Sequence, residues 1–262
     1  MLDQPGQPDH ADGGPIVVEN LTMAYGSVVI QRDVSFTVAT GEVFVIMGAS
    51  GCGKSTLLRH LVGLKTPASG RVFLSGTSMW ETAPAERERL LRRCGILYQG
   101  GALWSSMTLG ENISLPLEQF TDLSTGDIRD LVATKLALVG LAGFEAYFPD
   151  ELSNGMRKRA AFARAMALEP DILFFDEPSA GLDPVSAQRL DDLILQVQQT
   201  LGTTIVVVTH ELASIFAIAT RALFLDAQGS GTIALGPPKD LLAMNSDARV
   251  RTFLTRGGTA HW

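Results

Sequence analysis

The stretch Gly48-Ala49-Ser50-Gly51-Cys52-Gly53-Lys54-Ser55 constrains this chain more than any other. It fits the pattern G-x-x-x-x-G-K-[ST], between a continuously apolar run, Val43–Met47, and a helix-patterned segment from Thr56 to Leu64. Five apolar residues without polar alternation suit a strand buried on both faces, as in the middle of a parallel sheet. Glycines let the backbone wrap tightly with its N–H groups turned inward. The helix that follows adds positive potential at its N-terminus. Strand, glycine loop and helix in this order predict an α/β core with an anion cradled at the loop.

The anion that suits this cradle is the phosphate chain of a nucleotide. Gly48 through Gly53 supply the wrapping backbone, with Ala49, Ser50, Gly51 and Cys52 at its turn, and Thr56 continues the helix. Lys54 is expected to reach the β- and γ-phosphates, and Ser55 to ligate Mg²⁺. Cys52 reads as a small loop residue. A second constellation completes the chemistry. Ile172-Leu173-Phe174-Phe175 runs straight into Asp176-Glu177, and two acids after four apolar residues fit the exposed C-terminal end of a buried strand, the end that faces the ligand crevice in open α/β sheets. Asp176 is placed to hold Mg²⁺, and Glu177 to orient and deprotonate an attacking water.

Elsewhere the pattern separates into parts. Residues 1–15 are rich in Asp, Gln, Pro and Gly and read as a disordered lead-in, without the basic start and apolar stretch of a secretion signal. Ile16–Met23 and Val34–Val38 show strand periodicity with one wet face, as antiparallel strands do. Ile172–Phe175 and Ile205–Val208 repeat the buried-strand pattern of Val43–Met47, and Arg71–Leu74, Ala222–Asp226 and Thr232–Leu235 look like further strands. From about residue 100 to 160 helical spacing dominates (Ile128, Leu131, Val132, Leu136, Val139), which predicts a helical lobe inserted in the core. A single domain is expected over 16–245, with a C-terminal tail from 246 to 262. No apolar run reaches 18 residues, so no span of a bilayer is expected. The net charge of -7 argues against generic nucleic-acid binding, which needs a basic surface. The two cysteines, Cys52 and Cys94, have no metal spacing and suit a reducing compartment.

One further segment narrows the family. Leu152-Ser153-Asn154-Gly155-Met156, followed by a helix-patterned stretch to Leu168, resembles the signature of ATP-binding cassette (ABC) ATPases. The order phosphate loop, Gln99, signature, Asp176-Glu177, Gly181-Leu182-Asp183, His210 resembles that family over nearly the whole chain. Ser153 is a good N-cap, and a capped helix N-terminus beside a glycine is a second anion site. The resemblance implies a P-loop NTPase (RecA-like) parallel-sheet core, an antiparallel β-subdomain and an inserted helical subdomain. It implies ATP and Mg²⁺, and a head-to-tail dimer in which Ser153, Asn154 and Gly155 face the γ-phosphate held by the second copy. It also implies that Gln99 links Mg²⁺ and the attacking water to the helical lobe, that Asp183 lies in the loop crossing the dimer interface, that His210 contacts the γ-phosphate, and that Tyr25 stacks on adenine. Asn154 and Met156 depart from the commonest signature, which has Gly and Gln there. Asn tolerates left-handed backbone better than most residues.

The segment Tyr98–Ile113, with Met156 and Val250-Arg251-Thr252-Phe253-Leu254, resembles the ATPases of MCE-type, Mla-like phospholipid transport systems. That subgroup implies an integral membrane permease, an MCE-domain lipid-binding partner, no nucleic acid, and a place on the cytoplasmic face of the cell membrane. Other readings remain open at this level: an ATPase of a polar-solute importer, a non-transport ABC protein acting on DNA or ribosomes, or a nucleotide switch without turnover. The single cassette without a long heptad run disfavours the second of these, and the presence of both Glu177 and His210 disfavours the third.

Overall fold

The computed structural model describes residues 14–226, 228, 231–244 and 247–256. In chain order these form β1 (Ile16–Tyr25), β2 (Val28–Val38), β3 (Val43–Met47), α1 (Lys54–Leu61), β4 (Ser69–Leu74), β5 (Thr77–Ser78), α2 (Pro84–Arg92), β6 (Cys94–Leu97), α3 (Leu109–Phe120) and α4 (Thr125–Leu138). A 3-10 turn, Pro149–Glu151, precedes α5 (Asn154–Ala165), and then come β7 (Ile172–Asp176), α6 (Pro184–Leu201), β8 (Thr204–Val208), α7 (Leu212–Ile218), β9 (Arg221–Leu225), β10 (Thr232–Gly236), α8 (Pro238–Met244) and α9 (Ala248–Arg256).

The apolar runs become the middle of a six-stranded sheet of order β10-β9-β3-β8-β7-β6. Strands β9, β3, β8, β7 and β6 pair in parallel, and β10 joins antiparallel at the edge. Alternate side chains of a strand point to opposite faces, and here both faces are covered. Val43, Val45 and Met47 of β3, Leu173 and Phe175 of β7 and Ile205 and Val207 of β8 enter one hydrophobic cluster. Phe44 and Ile46, Ile172 and Phe174, and Val206 and Val208 enter the other. This is why these runs lack polar alternation.

The second cluster is closed by α1, through Leu57, Leu58 and Leu61, and by a four-stranded sheet of order β2-β1-β4-β5, which contributes Ile16, Val18, Leu21, Met23, Val34 and Val72. Its strands are antiparallel, as their alternation predicts. The first cluster runs without a break from the sheet into α3, α4 and α5, where Ile113, Leu117, Val132, Leu136 and Phe162 belong to it. Helices α3 and α4 have reciprocal capping boxes, Thr108 with Glu111 and Ser124 with Asp127.

Residues 1–13 of the expected lead-in lie outside the described residues, as do 245–246 and 257–262 at and within the expected tail. Residues 248–256 of that tail form α9, whose Val250, Phe253 and Leu254 are buried, with the Phe253 ring 5.2 Å from that of Phe224 in an edge-on contact. Strand β6 is not among the expected strands. Among the described residues no helix is long and apolar enough to cross a membrane.

Candidate functional site

At the C-terminal end of β3 the chain turns through Gly48–Gly53 into α1. Two of the glycines are needed for space as well as for backbone angle. Gly48 has φ 150, and a Cβ there would lie 2.8 Å from the Leu225 carbonyl oxygen; Gly53 has φ 100, and its Cβ would lie 2.7 Å from Ile30 Cγ2. Gly53 is also the N-cap of α1 and has no side chain to cap the helix, so the first helical N–H groups face the loop without a side-chain acceptor. Lys54 is buried, and its Nζ donates to the carbonyls of Gly48 at 2.9 Å and Ala49 at 3.2 Å. Ala49, Ser50 and Gly51 complete the turn, and Thr56 lies in the first turn of α1. Cys52 points inward, and burial pushes its thiol up, away from thiolate chemistry.

Gln31, absent from the expected set, holds this loop from beneath. It is fully buried on β2, and its Nε2 donates to Cys52 O at 2.7 Å and Asp226 O at 2.5 Å while its Oε1 accepts from Gly231 N at 2.8 Å. The sequence offers a faint signal of it, a lone amide in a run whose neighbours are strand-like.

Strand β7 surfaces at Asp176, beside the loop. Ser55 Oγ donates to Asp176 Oδ1 at 3.0 Å, so the hydroxyl and carboxylate expected to share Mg²⁺ meet. Burial pushes the Asp176 carboxyl up and the Glu177 charge adds to this, while the Ser55 bond, Arg59 and Lys54 act the other way. One residue on, Glu177 takes a left-handed backbone with φ 48, a conformation that costs a non-glycine residue about 1–3 kcal/mol. Its N–H donates to Val208 O at 2.8 Å. Its carboxylate is buried; Oε1 lies 2.8 Å from His210 Nδ1, and Oε2 has no partner. An unpartnered buried carboxylate oxygen in a native site calls for a ligand or water. His210 follows β8 by two residues and is half exposed.

The remaining expected residues sit around this centre. Gln99 lies two residues past β6, which flanks β7 with Leu97 opposite Phe175; its side chain is exposed, and its carbonyl accepts from Lys158 Nζ. Tyr25 ends β1. It is 43% exposed, so its ring is not part of the core. Its hydroxyl accepts from Arg59 Nη1 at 3.0 Å, and Lys65 Nζ lies 4.0 Å from its ring centre. Side-chain hydrogen bonds with Thr56 and Arg59 hold its phenol below the usual range. Arg59 is on α1, so the ring is tied to the helix that opens at the phosphate loop.

Ser153 caps α5 by accepting from Met156 N at 3.3 Å. The helix starts at Asn154, directly after this cap, and ends at Ala165, short of Leu168. Asn154 Nδ2 donates to Gly181 O at 3.0 Å, and a Cβ on Gly155 would lie 3.2 Å from Ser186 Oγ. Among the described residues no hydrogen bond joins Ser153, Asn154 or Gly155 to the phosphate loop of the same chain. Asp183 caps α6, accepting from Val185 N at 3.1 Å, Ser186 N at 3.0 Å and Ser186 Oγ at 2.5 Å. These bonds hold its carboxyl below the usual range.

The chain is similar to known proteins along most of its length. The family model described as ABC transporter matches residues 31–180. A protein of Mycobacterium bovis named "Probable ribonucleotide transport ATP-binding protein mkl" is 40% identical over 242 residues, covering 92% of this chain and 67% of that protein. The "Intermembrane phospholipid transport system ATP-binding protein MlaF" of Haemophilus influenzae is 38% identical over 239 residues, covering 91% of this chain and 89% of its own. A solved dimeric, post-hydrolysis structure of an ATP-binding cassette bound to ADP and Pi superposes with a TM-score of 0.77 at 28% identity, over 85% of this chain and 98% of that one.

Proposed function

This chain belongs to the ABC transporter family of ATP-binding subunits and is an ATPase, and from that premise we propose that its hydrolytic cycle drives lipid movement through a separate membrane permease, with two copies closing head to tail around two ATP molecules. The observation that carries the hydrolytic reading is the convergence of Lys54, Ser55 and Asp176 with the Glu177–His210 pair at the C-terminal end of the central strands β3, β8 and β7.

The residues fit a magnesium nucleotide. Mg²⁺ keeps several waters and takes few protein oxygens beside substrate phosphates, and the Ser55 hydroxyl and Asp176 carboxylate are two such oxygens, with Gln99 a third donor. When bound, the ion neutralises charge on the β- and γ-phosphates. Lys54 exchanges its loop carbonyls for phosphate oxygens, and the N–H groups of Gly48–Thr56 bind the same chain. Glu177 Oε2 accepts the proton of the attacking water, whose oxygen bonds to the γ-phosphorus as the bond to ADP breaks. His210 holds Glu177 in place and meets the γ-phosphate. Tyr25 stacks on adenine. Ser153, Asn154, Gly155 and Asp183 act across the dimer, on the nucleotide held by the second copy.

The lipid cargo is supported by similarity to the MlaF protein along nearly all of both chains and by the Tyr98–Ile113 segment. The mycobacterial relative, named for ribonucleotide transport, matches over a smaller part of its own length and favours a polar solute as the second reading. An MCE-domain partner and a position on the inner face of the membrane follow from the lipid reading. Copurification of the assembled transporter from detergent, with analysis of its bound molecules, separates the two: phospholipid in the complex supports the proposal, and a bound polar solute without lipid overturns it.

A further inference from the structure

One cation beside the site is used by none of these steps. Lys158 is 3% exposed and projects from α5 about one turn past Asn154. Its Nζ donates to the backbone oxygen of Gln99 and, at 3.3 Å, to that of Glu177. Its helical neighbours Ala160, Ala161 and Phe162 go into the hydrophobic core. Burying an ammonium among them is costly, and desolvation pushes Lys158 down from the ordinary lysine range although Asp176 and Glu177 act the other way. An apolar side chain would pack there without that cost. What it could not do is hold at once the two carbonyls that follow the ends of β6 and β7.

We propose that Lys158 is a positioning residue that fastens the backbone of Glu177 and Gln99 to the start of α5, so that the helix which meets the ATP of the second copy also sets the geometry of this chain's own hydrolytic carboxylate. The inference rests on the reading of Glu177 as the base and of Ser153–Gly155 as the contact across the dimer. Three observations converge on it. A strained peptide such as that of Glu177 persists only where its surroundings over-determine it, and the Val208 bond to its N–H and the Lys158 bond to its carbonyl are fixings on either side. Asn154, at the N-terminus of the same helix, is tied to Gly181 O. Gln99 O, the other partner of Lys158, opens the segment that leads into the helical lobe. A shift of α5 on taking up a phosphate at its N-terminus therefore reaches Glu177 through one side chain, and each chain's α5 couples the two ATP sites.

The test is steady-state hydrolysis and nucleotide binding by the full-length protein in its assembled complex, for Lys158→Met, Lys158→Arg and Glu177→Gln. Lys158→Met is expected to lower kcat by about tenfold to a hundredfold, the scale of an ångström-level misplacement, and to keep KM and Kd for ATP within about twofold. Lys158→Arg, with forked donors for both carbonyls, is expected to recover most of the lost turnover. Parental kcat in Lys158→Met overturns the inference, and so does a loss of nucleotide affinity that accounts for the whole defect, or failure of arginine to rescue. Should the methionine variant not fold, Lys158→Leu, which likewise has no donor for either carbonyl, decides in its place: reduced kcat at preserved KM supports the role, and parental kcat ends it. Parental turnover in Glu177→Gln would instead sink the reading of the base itself.

Discussion

At Glu177 a left-handed backbone, a histidine partner and a carboxylate oxygen without a partner meet in one side chain. Glu177→Gln keeps the size and the contact to His210 but cannot take a proton, so hydrolysis is expected to fall by on the order of 10²–10⁴ while ATP binding survives; phosphate release and nucleotide titration on the same sample check both halves. Tyr25→Ala removes an exposed ring anchored to α1. Stacking on a base is worth about 1–3 kcal/mol, so the ATP concentration needed for half-saturation is expected to rise about tenfold, and an unchanged value returns Tyr25 to a purely structural part. The phosphate loop and the acid pair were legible in the sequence because their spacing fixes backbone and chemistry together. Lys158 was not, since a lysine in a helix rich in Ala and Arg reads as solvated until the fold brings Gln99 and Glu177 to its tip. Gln31 left only the faint signal of a lone amide in a strand, because its partners Cys52, Asp226 and Gly231 are distant in sequence.

Among the elements, the buried strands announced themselves by unbroken apolar runs, and the helical lobe by its spacing. Strand β6 gave no such signal. It has four residues, and its Gly95 contributes no side chain to the pattern because a Cβ there would collide with the Ala165 carbonyl of α5; close helix packing erased the strand's own signature. Helix α9 was masked by its charged residues, although three of its apolar side chains are buried. Between α6 and α7 lies another feature that only packing shows. Asp191 is buried with Ser214 Oγ donating to it at 2.8 Å, and burial pushes its carboxyl up to about 6. A raised carboxyl favours the folded state when protonated, so its contribution is full below about pH 4 and lost as pH rises through 6. Asp191→Asn is therefore expected to raise the melting temperature by several degrees at pH 8, with the gain vanishing at pH 4; thermal melts at the two pH values measure it.

For the whole molecule, the proposed dimer, and a permease docked at the Tyr98–Ile113 segment that resembles the lipid-transport ATPases, give two measurable outcomes. With Glu177→Gln to stop turnover, Mg-ATP is expected to convert the protein to a stable dimer seen by light scattering, because each nucleotide would bridge one chain's phosphate loop and the other's Ser153. A monomer under those conditions would leave the two-copy reading without support. Trp104 is 59% exposed at the mouth of the helical lobe, while Asn112 fixes the loop around it by bonds to Trp104 N and O and to Met107 O. Trp104→Glu is expected to release the permease from the purified complex with nucleotide affinity unchanged, which pull-down and ATP titration together report.

The continuity of the first hydrophobic cluster, from sheet to lobe, carries a structural meaning. Leu109, Ile113, Leu117, Val132 and Leu136 share their interior with Leu97, Leu173 and Phe175. Close-packed interiors compress little and switch between discrete arrangements. The lobe is therefore built on the sheet rather than beside it: its apolar side chains finish the interior that Leu97, Leu173 and Phe175 begin, and a peptide of residues 100–165 cut free would leave that face bare to water.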